Sequence, residues 1–153
     1  MRIDLLRRLK HYDGRPIRLY RVDLTGGRCT TCTDSFTGQI LLTNCPECRG
    51  TGQALGHKSL GDYWIWTDID SRMKETGEMG NFESPRSGTD IFVVVGAPLI
   101  KDDDLLILKD TKEVYKVDDV EPKVSAVGGE IVLQMTPVFF VNPGSIEYGL
   151  IDW

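Results

Sequence analysis

At 153 residues, 41% of them hydrophobic and 27% charged, the chain has the size of one domain able to bury a core of its own. No apolar run approaches the roughly 18–20 residues a helical membrane span requires, so no membrane partner is expected. The net charge of −5 is unevenly spread: residues 1–28 hold eight Arg/Lys against three Asp, and the remainder ten basic against twenty acidic residues. A basic N-terminal segment of this kind suits an acidic partner or a solvated helix face, while the acidic remainder speaks against a dedicated DNA-binding protein.

In chain order, Ile3, Leu5, Leu6 and Leu9 recur at helical spacing with Arg7, Arg8 and Lys10 between them, and Asp13-Gly14 breaks the pattern. This predicts a short amphipathic helix ending near His11. The same stretch lacks the uninterrupted apolar core of a secretory signal, so a reducing cytoplasm is expected, where paired cysteines more often hold metal than form disulfides. Residues 17–24 alternate as a strand does, with Ile17, Leu19 and Arg21 against Arg18, Tyr20 and Val22. A cysteine-bearing excursion over 26–56, bracketed by glycines, comes next. Residues 62–69 are aromatic and β-branched, a strand signal. Residues 70–89 keep no period and predict a long loop. Further strands are expected at 90–98, 105–110, 113–122 and 130–141. Asp110-Thr111-Lys112 reads as a hairpin turn and Gly128-Gly129 as another. Pro137 argues for an edge, a bulge or two short strands. The predicted fold class is mainly β: a single-domain small β-barrel or sandwich with a short N-terminal helix and an inserted four-cysteine, zinc-ribbon-like hairpin.

All four cysteines lie in the excursion: Cys29, Cys32, Cys45 and Cys48. Two C-x2-C pairs separated by 12 residues set two thiols on each of two tight turns, the arrangement a tetrahedral Zn2+ needs. Four thiolates close the coordination sphere, so the expected role is structural. An iron centre of the rubredoxin sort has the same ligand set and stays open beside zinc. Two disulfides fit the compartment poorly, and a dithiol redox motif lacks its βαβ context. Gly50 and Gly52 can take positive φ beside the second pair, and Ile40, Leu41 and Leu42 suit a small hairpin between the pairs. His57 reads as a surface residue beyond the ribbon.

No catalytic constellation stands out, and no enzyme is expected. His11 and His57 are the only histidines, and neither lies near a nucleophile motif. No phosphate-cradling glycine loop occurs. Asp102-Asp103-Asp104 reads as a solvated turn, since consecutive carboxylates point in different directions. Asp68 and Asp70 share a strand face and read as solvent-side.

Two resemblances add to this. Cys45-Pro-Glu-Cys48-Arg-Gly-Thr-Gly52 resembles the C-x2-C-x-G-x-G repeat of J-domain co-chaperones, over eight residues, although such proteins carry four copies and a His-Pro-Asp tripeptide that is absent here. The stretch from about residue 88 to 150 resembles small β-barrel proteins of tailed-bacteriophage necks, the head–tail connector and stopper class. An acidic turn precedes a short strand, a Y-x-V-x-x-V strand follows (Tyr115, Val117, Val120), and a long strand leads to a tail at Ser145 to Tyr148. That resemblance implies a virion component, assembled in the host cytoplasm, forming a six- or twelve-fold ring between portal or adaptor and tail proteins. Genomic DNA would pass through the lumen without sequence specificity. A zinc-ribbon adaptor for nucleic acid or a protein is the alternative. Between Cys29 and Cys48 there is no Lys or Arg, which weighs against nucleic acid.

Overall fold

The computed structural model describes residues 14–66, 89–118 and 123–151. The predicted N-terminal helix, most of the 70–89 loop, and Asp68, Asp70 and Val120 lie outside the described residues. Seven strands are formed: β1 (Arg15–Val22), β2 (His57–Trp66), β3 (Thr89–Val95), β4 (Leu105–Leu108), β5 (Val114–Val117), β6 (Lys123–Val127) and β7 (Glu130–Phe140). Two short 3-10 turns, η1 (Leu24–Gly26) and η2 (Ile146–Leu150), are the only helical elements among the described residues.

Six strands close on themselves in the order β1–β2–β3–β7–β5–β4 and back to β1, every pairing antiparallel. Closure leaves no unpaired row of N–H and C=O groups around the ring, and the choice between barrel and sandwich falls to the barrel. β6 stands outside the ring as a hairpin partner of β7. It joins β7 through Gly128-Gly129, both at positive φ, as the predicted turn requires.

β7 is one continuous strand despite Pro137. One edge pairs with β3 throughout, and the other changes partner from β6 (to Met135) to β5 (from Val138). Pro137 sits at that change. Its carbonyl accepts from Asp118 N at 3.0 Å, so its nitrogen faces the same seam, where no ladder bond is needed.

Ile17, Leu19, Ile65, Phe92, Val94, Leu106, Leu108, Val117 and Val138 fill the barrel. The alternate residues of β4, Leu105 and Ile107, form a second cluster outside it with Tyr20, Val114, Val141 and Leu150. This explains why all four residues of "LLIL" are buried: η2 covers the outer face that a barrel strand ordinarily turns to water. Tyr148 fastens that cover by donating its hydroxyl to Val141 O at 2.9 Å.

Two polar side chains are buried where the loops meet the barrel. Gln134, fully buried on β7, accepts from Ile100 N at 2.8 Å and donates to Ala97 O and Pro98 O at 3.1 and 2.8 Å. Asp104 corrects the reading of a solvated triple-aspartate turn. Asp102 and Asp103 are exposed, but Asp104 is 1% exposed and receives Arg21 in a bidentate pair, 2.8 and 2.7 Å. It also accepts from Lys101 N at 2.8 Å, while Arg21 donates to Leu99 O at 2.6 Å. Asp104 holds the Arg21 guanidinium above its ordinary pKa through that side-chain hydrogen bond.

Candidate metal centre

The cysteine excursion replaces the turn of the β1–β2 hairpin. Val22 pairs with His57 as the last rung, and Asp23 N donates to Gly56 O at 2.8 Å directly above it. The excursion therefore runs over residues 23–56, three residues longer at its start than the sequence indicates. η1 follows, capped by Asp23, whose carboxylate accepts from Thr25 N at 3.0 Å.

Inside, two short bridges shape the chain: Arg28 opposite Gln53 and Thr33 opposite Ile40. Cys29 N donates to Gly52 O and Leu41 N to Cys32 O, at 2.9 and 2.7 Å. The first bond lays the first knuckle against the segment that leaves the second, and the other ties it to the run that leads into the second. After Cys48 the chain reverses through Arg49 and Gly50, at φ of 52° and 77°. Thr51 closes the turn, its N–H and hydroxyl both donating to Cys48 O. Gly50 has a second constraint, because a Cβ there would lie 2.4 Å from Thr43 O. At the opposite tip, Asp34 accepts from Phe36 N and Thr37 N at 2.7 and 2.8 Å and fixes a tight turn. Arg28 reaches across that turn, where a Cβ on Gly38 would meet its guanidinium.

The four predicted ligands come together. Cys29, Cys32, Cys45 and Cys48 are all buried, all free thiols, and their sulfurs lie within 4.8 Å of one another. Two of the separations are 3.9 Å (Cys29 to Cys45) and 3.2 Å (Cys32 to Cys48). A tetrahedral tetrathiolate with metal–sulfur bonds near 2.3 Å has S···S edges of about 3.8 Å, so the cluster has the dimensions of a four-coordinate thiolate site. Glu47 stands at its rim and is not a fifth ligand: its carboxylate accepts from Thr31 Oγ1 and lies 3.9 Å from Cys29 Sγ.

Cys32 and Cys48 are shifted in opposite directions. Burial pushes the Cys48 thiol up, but hydrogen bonds from the Cys32 thiol, from Gly52 N and from the other cysteines outweigh it and bring Cys48 down to about 7. Cys32 is raised, by burial first and then by its contact with Cys48. Several buried thiolates repel one another unless a cation lies among them. The Gly52 N–H supplies the outer hydrogen bond that such sulfurs ordinarily receive.

One property of the excursion stands apart from the barrel. Between Asp23 and Gly56 the four cysteines are the only buried side chains. Leu24, Phe36, Ile40, Leu41, Leu42 and Leu55 are all exposed, Phe36 at 97%.

His57 is not on the open surface, as the sequence suggested. It begins β2, half buried, with Nδ1 shielded from solvent and without a hydrogen-bond partner. It lines a cavity of about 240 Å3 between the excursion, the barrel and η2, with Arg49, Lys116, Asp103 and Glu147. Burial pushes His57 below the ordinary imidazole range, with Arg49 and Lys116 adding to the effect against Glu147 and Asp104. Lys116 is committed to Asp103 at 2.8 Å. No sequence pattern signals this seam, because its lining comes from seven separate stretches of the chain.

The chain matches no model of a known protein family, and no curated protein is significantly similar to it. The fold and the cluster define a small six-stranded antiparallel β-barrel carrying a buried four-cysteine site.

Proposed function

We propose that this chain is a structural assembly protein whose cysteine cluster holds one Zn2+ as a brace, and that it serves as a ring-forming head–tail connector of the stopper type in a tailed-phage neck. The observation that carries the reading is the excursion's lack of any buried side chain besides Cys29, Cys32, Cys45 and Cys48. A projection of this length without an apolar core needs another source of folding energy, and a closed tetrathiolate metal supplies it. Four thiolate ligands leave no position for water or substrate, so the metal's contribution is structural. What the brace then presents is apolar and exposed, which suits contact with protein. The neck assignment rests on the resemblance over residues 88–150, and the closed barrel with a projecting excursion is compatible with it. The alternative, a zinc-ribbon adaptor on nucleic acid, lacks cations where it needs them: from Cys29 to Cys48 the only charged residues are Asp34, between the pairs, and Glu47, inside the second pair.

The test has two parts. Metal content and the effect of a strong chelator are measured on the purified chain, with Cys45→Ser beside it. Hydrogen exchange should show residues 23–56 losing protection while the barrel strands keep theirs. Native mass and negative-stain particle shape are then recorded, for the chain alone and mixed with portal and tail components. Rings of the metal-loaded chain that fail to form with Cys45→Ser support the reading. A strict monomer that binds DNA at low salt sinks it.

A further inference from the structure

The cavity at the seam of the excursion, the barrel and η2 gathers polar groups that the fold leaves unmatched. His57 Nδ1 is shielded from solvent and unbonded, and a shielded polar atom ordinarily has a partner. Arg49 and Glu147, both half-buried, line the same cavity. Neither makes a hydrogen bond or ion pair with a described residue, so they do not reach each other across it. Lys116 and Asp103 are already paired, at 2.8 Å. The charges still to be matched are therefore one cation and one anion. The rest of the wall includes apolar side chains, Val22, Ile40 and Leu105, with Leu105 buried and Asp103 exposed towards solvent. Arg49 is held from two sides. Its backbone takes a φ of 52° in the turn that Thr51 closes, and its Nε lies 3.6 Å from where a Cβ on Gly149 would stand.

We propose that this cavity is a binding site for a small apolar α-amino acid, taken up as its zwitterion. The Arg49 guanidinium offers a planar fork that matches a carboxylate, and His57 in its Nδ1–H tautomer adds a further donor. Glu147 accepts from the ammonium. Val22, Ile40 and Leu105 receive the side chain. Charge balance selects the zwitterion over a simple anion or cation. A phosphate would bring more negative charge to Glu147 and Asp103 with Lys116 already committed, and a bare amine would leave Arg49 unmatched. Volume sets the size. A cavity of about 240 Å3 equals about eight waters at their liquid share of about 30 Å3 each, room for a ligand the size of valine. Such a ligand touches the excursion through Arg49, the barrel through His57 and η2 through Glu147, and so fastens the projection at its root. The site does not depend on the ring reading.

The test titrates L-valine into the full-length, zinc-supplemented chain and follows amide NMR spectra. Valine should bind with a Kd below about 1 mM and shift the amides of Gly50, His57 and Glu147. Isovalerate, which lacks the ammonium, and isobutylamine, which lacks the carboxylate, should each bind about tenfold more weakly. Glu147→Gln removes a charge that has no partner among the described residues, so the fold is kept. It should weaken valine about tenfold and not weaken isovalerate. Arg49→Lys keeps the charge and loses the fork, and should weaken both ligands, with bound-metal stoichiometry checking that the neighbouring knuckle is intact. Where that variant loses metal, Glu147→Gln decides alone. Valine that shifts no amide at about 10 mM, half-molecules that bind as well as valine, or full valine affinity in Glu147→Gln each overturn the proposal. Inorganic phosphate binding more tightly than valine at the same amides also overturns it, in favour of an anion site.

Discussion

Replacing Arg21 by Met should destabilise the fold by about 3 kcal/mol, and the geometry of its partner sets that figure. Asp104 is 1% exposed and Arg21 23%, so the carboxylate is the member that loses its hydration. With the guanidinium gone, Asp104 keeps a single donor among the described residues, Lys101 N. Stranding one member of a fully buried pair costs about 3–5 kcal/mol, and the partial exposure of Arg21 places this pair at the low end. For a chain of this length the unfolding entropy is about 0.3 kcal/mol per kelvin, which makes the fall in Tm about 10 °C. Asp104→Leu should cost less, about 2 kcal/mol, because the released guanidinium keeps Leu99 O and reaches water. Arg21→Met/Asp104→Leu should recover to within about 1 kcal/mol of wild type, since a buried pair can often be exchanged for packed apolar groups. Urea titrations of the four proteins close the cycle. A cost for Arg21→Met below about 1 kcal/mol, or additive single effects, would refute the argument that Asp104 depends on this partner.

Gly50→Ala combines a positive φ with a Cβ 2.4 Å from Thr43 O. A strain of about 1–3 kcal/mol should appear as roughly tenfold or more weaker metal retention against a competing chelator, with the barrel's melt unchanged. Gln134→Leu strands Ile100 N, Ala97 O and Pro98 O together, and its urea midpoint should report a loss of about 3 kcal/mol or more. His57 gives a pH signature. Its folded pKa lies below the unfolded value of about 6.5, so the unfolded chain takes up the proton first as pH falls. Its contribution is complete above about pH 6.5 and declines as pH drops below that value. Urea midpoints from about pH 8 to 5 should therefore fall less steeply in His57→Gln than in wild type. Acid-driven metal loss affects both proteins and cancels in the comparison.

What the sequence disclosed was the local part of the structure. The four-cysteine cluster was readable because two C-x2-C pairs need only their own turns to face one another. Ile17, Leu19 and the Gly128-Gly129 turn followed from period and conformational preference. Pairing decided the rest. β2 begins at His57 rather than Asp62, because "HKSLG" has no strand preference of its own and is held by β1. β6 was missed: five residues became a strand because β7 lay across the turn. Asp104 was misread as solvated because Arg21, its partner, lies 83 residues away. Among four consecutive buried residues in β4, nothing local separates the barrel's interior from the underside of η2.

The placement of the excursion at the last rung of the β1–β2 hairpin bears on the order of events during folding. Closing a hairpin over residues 23–56 costs about 2 kcal/mol more entropy than closing it over a four-residue turn. Ligation of Cys29, Cys32, Cys45 and Cys48 before Val22 meets His57 would draw the two strands together and shorten the loop still to be closed. The cluster proposed as a brace of the finished projection would then act earlier, as a kinetic clasp, with refolding faster in the presence of zinc than in a chelator.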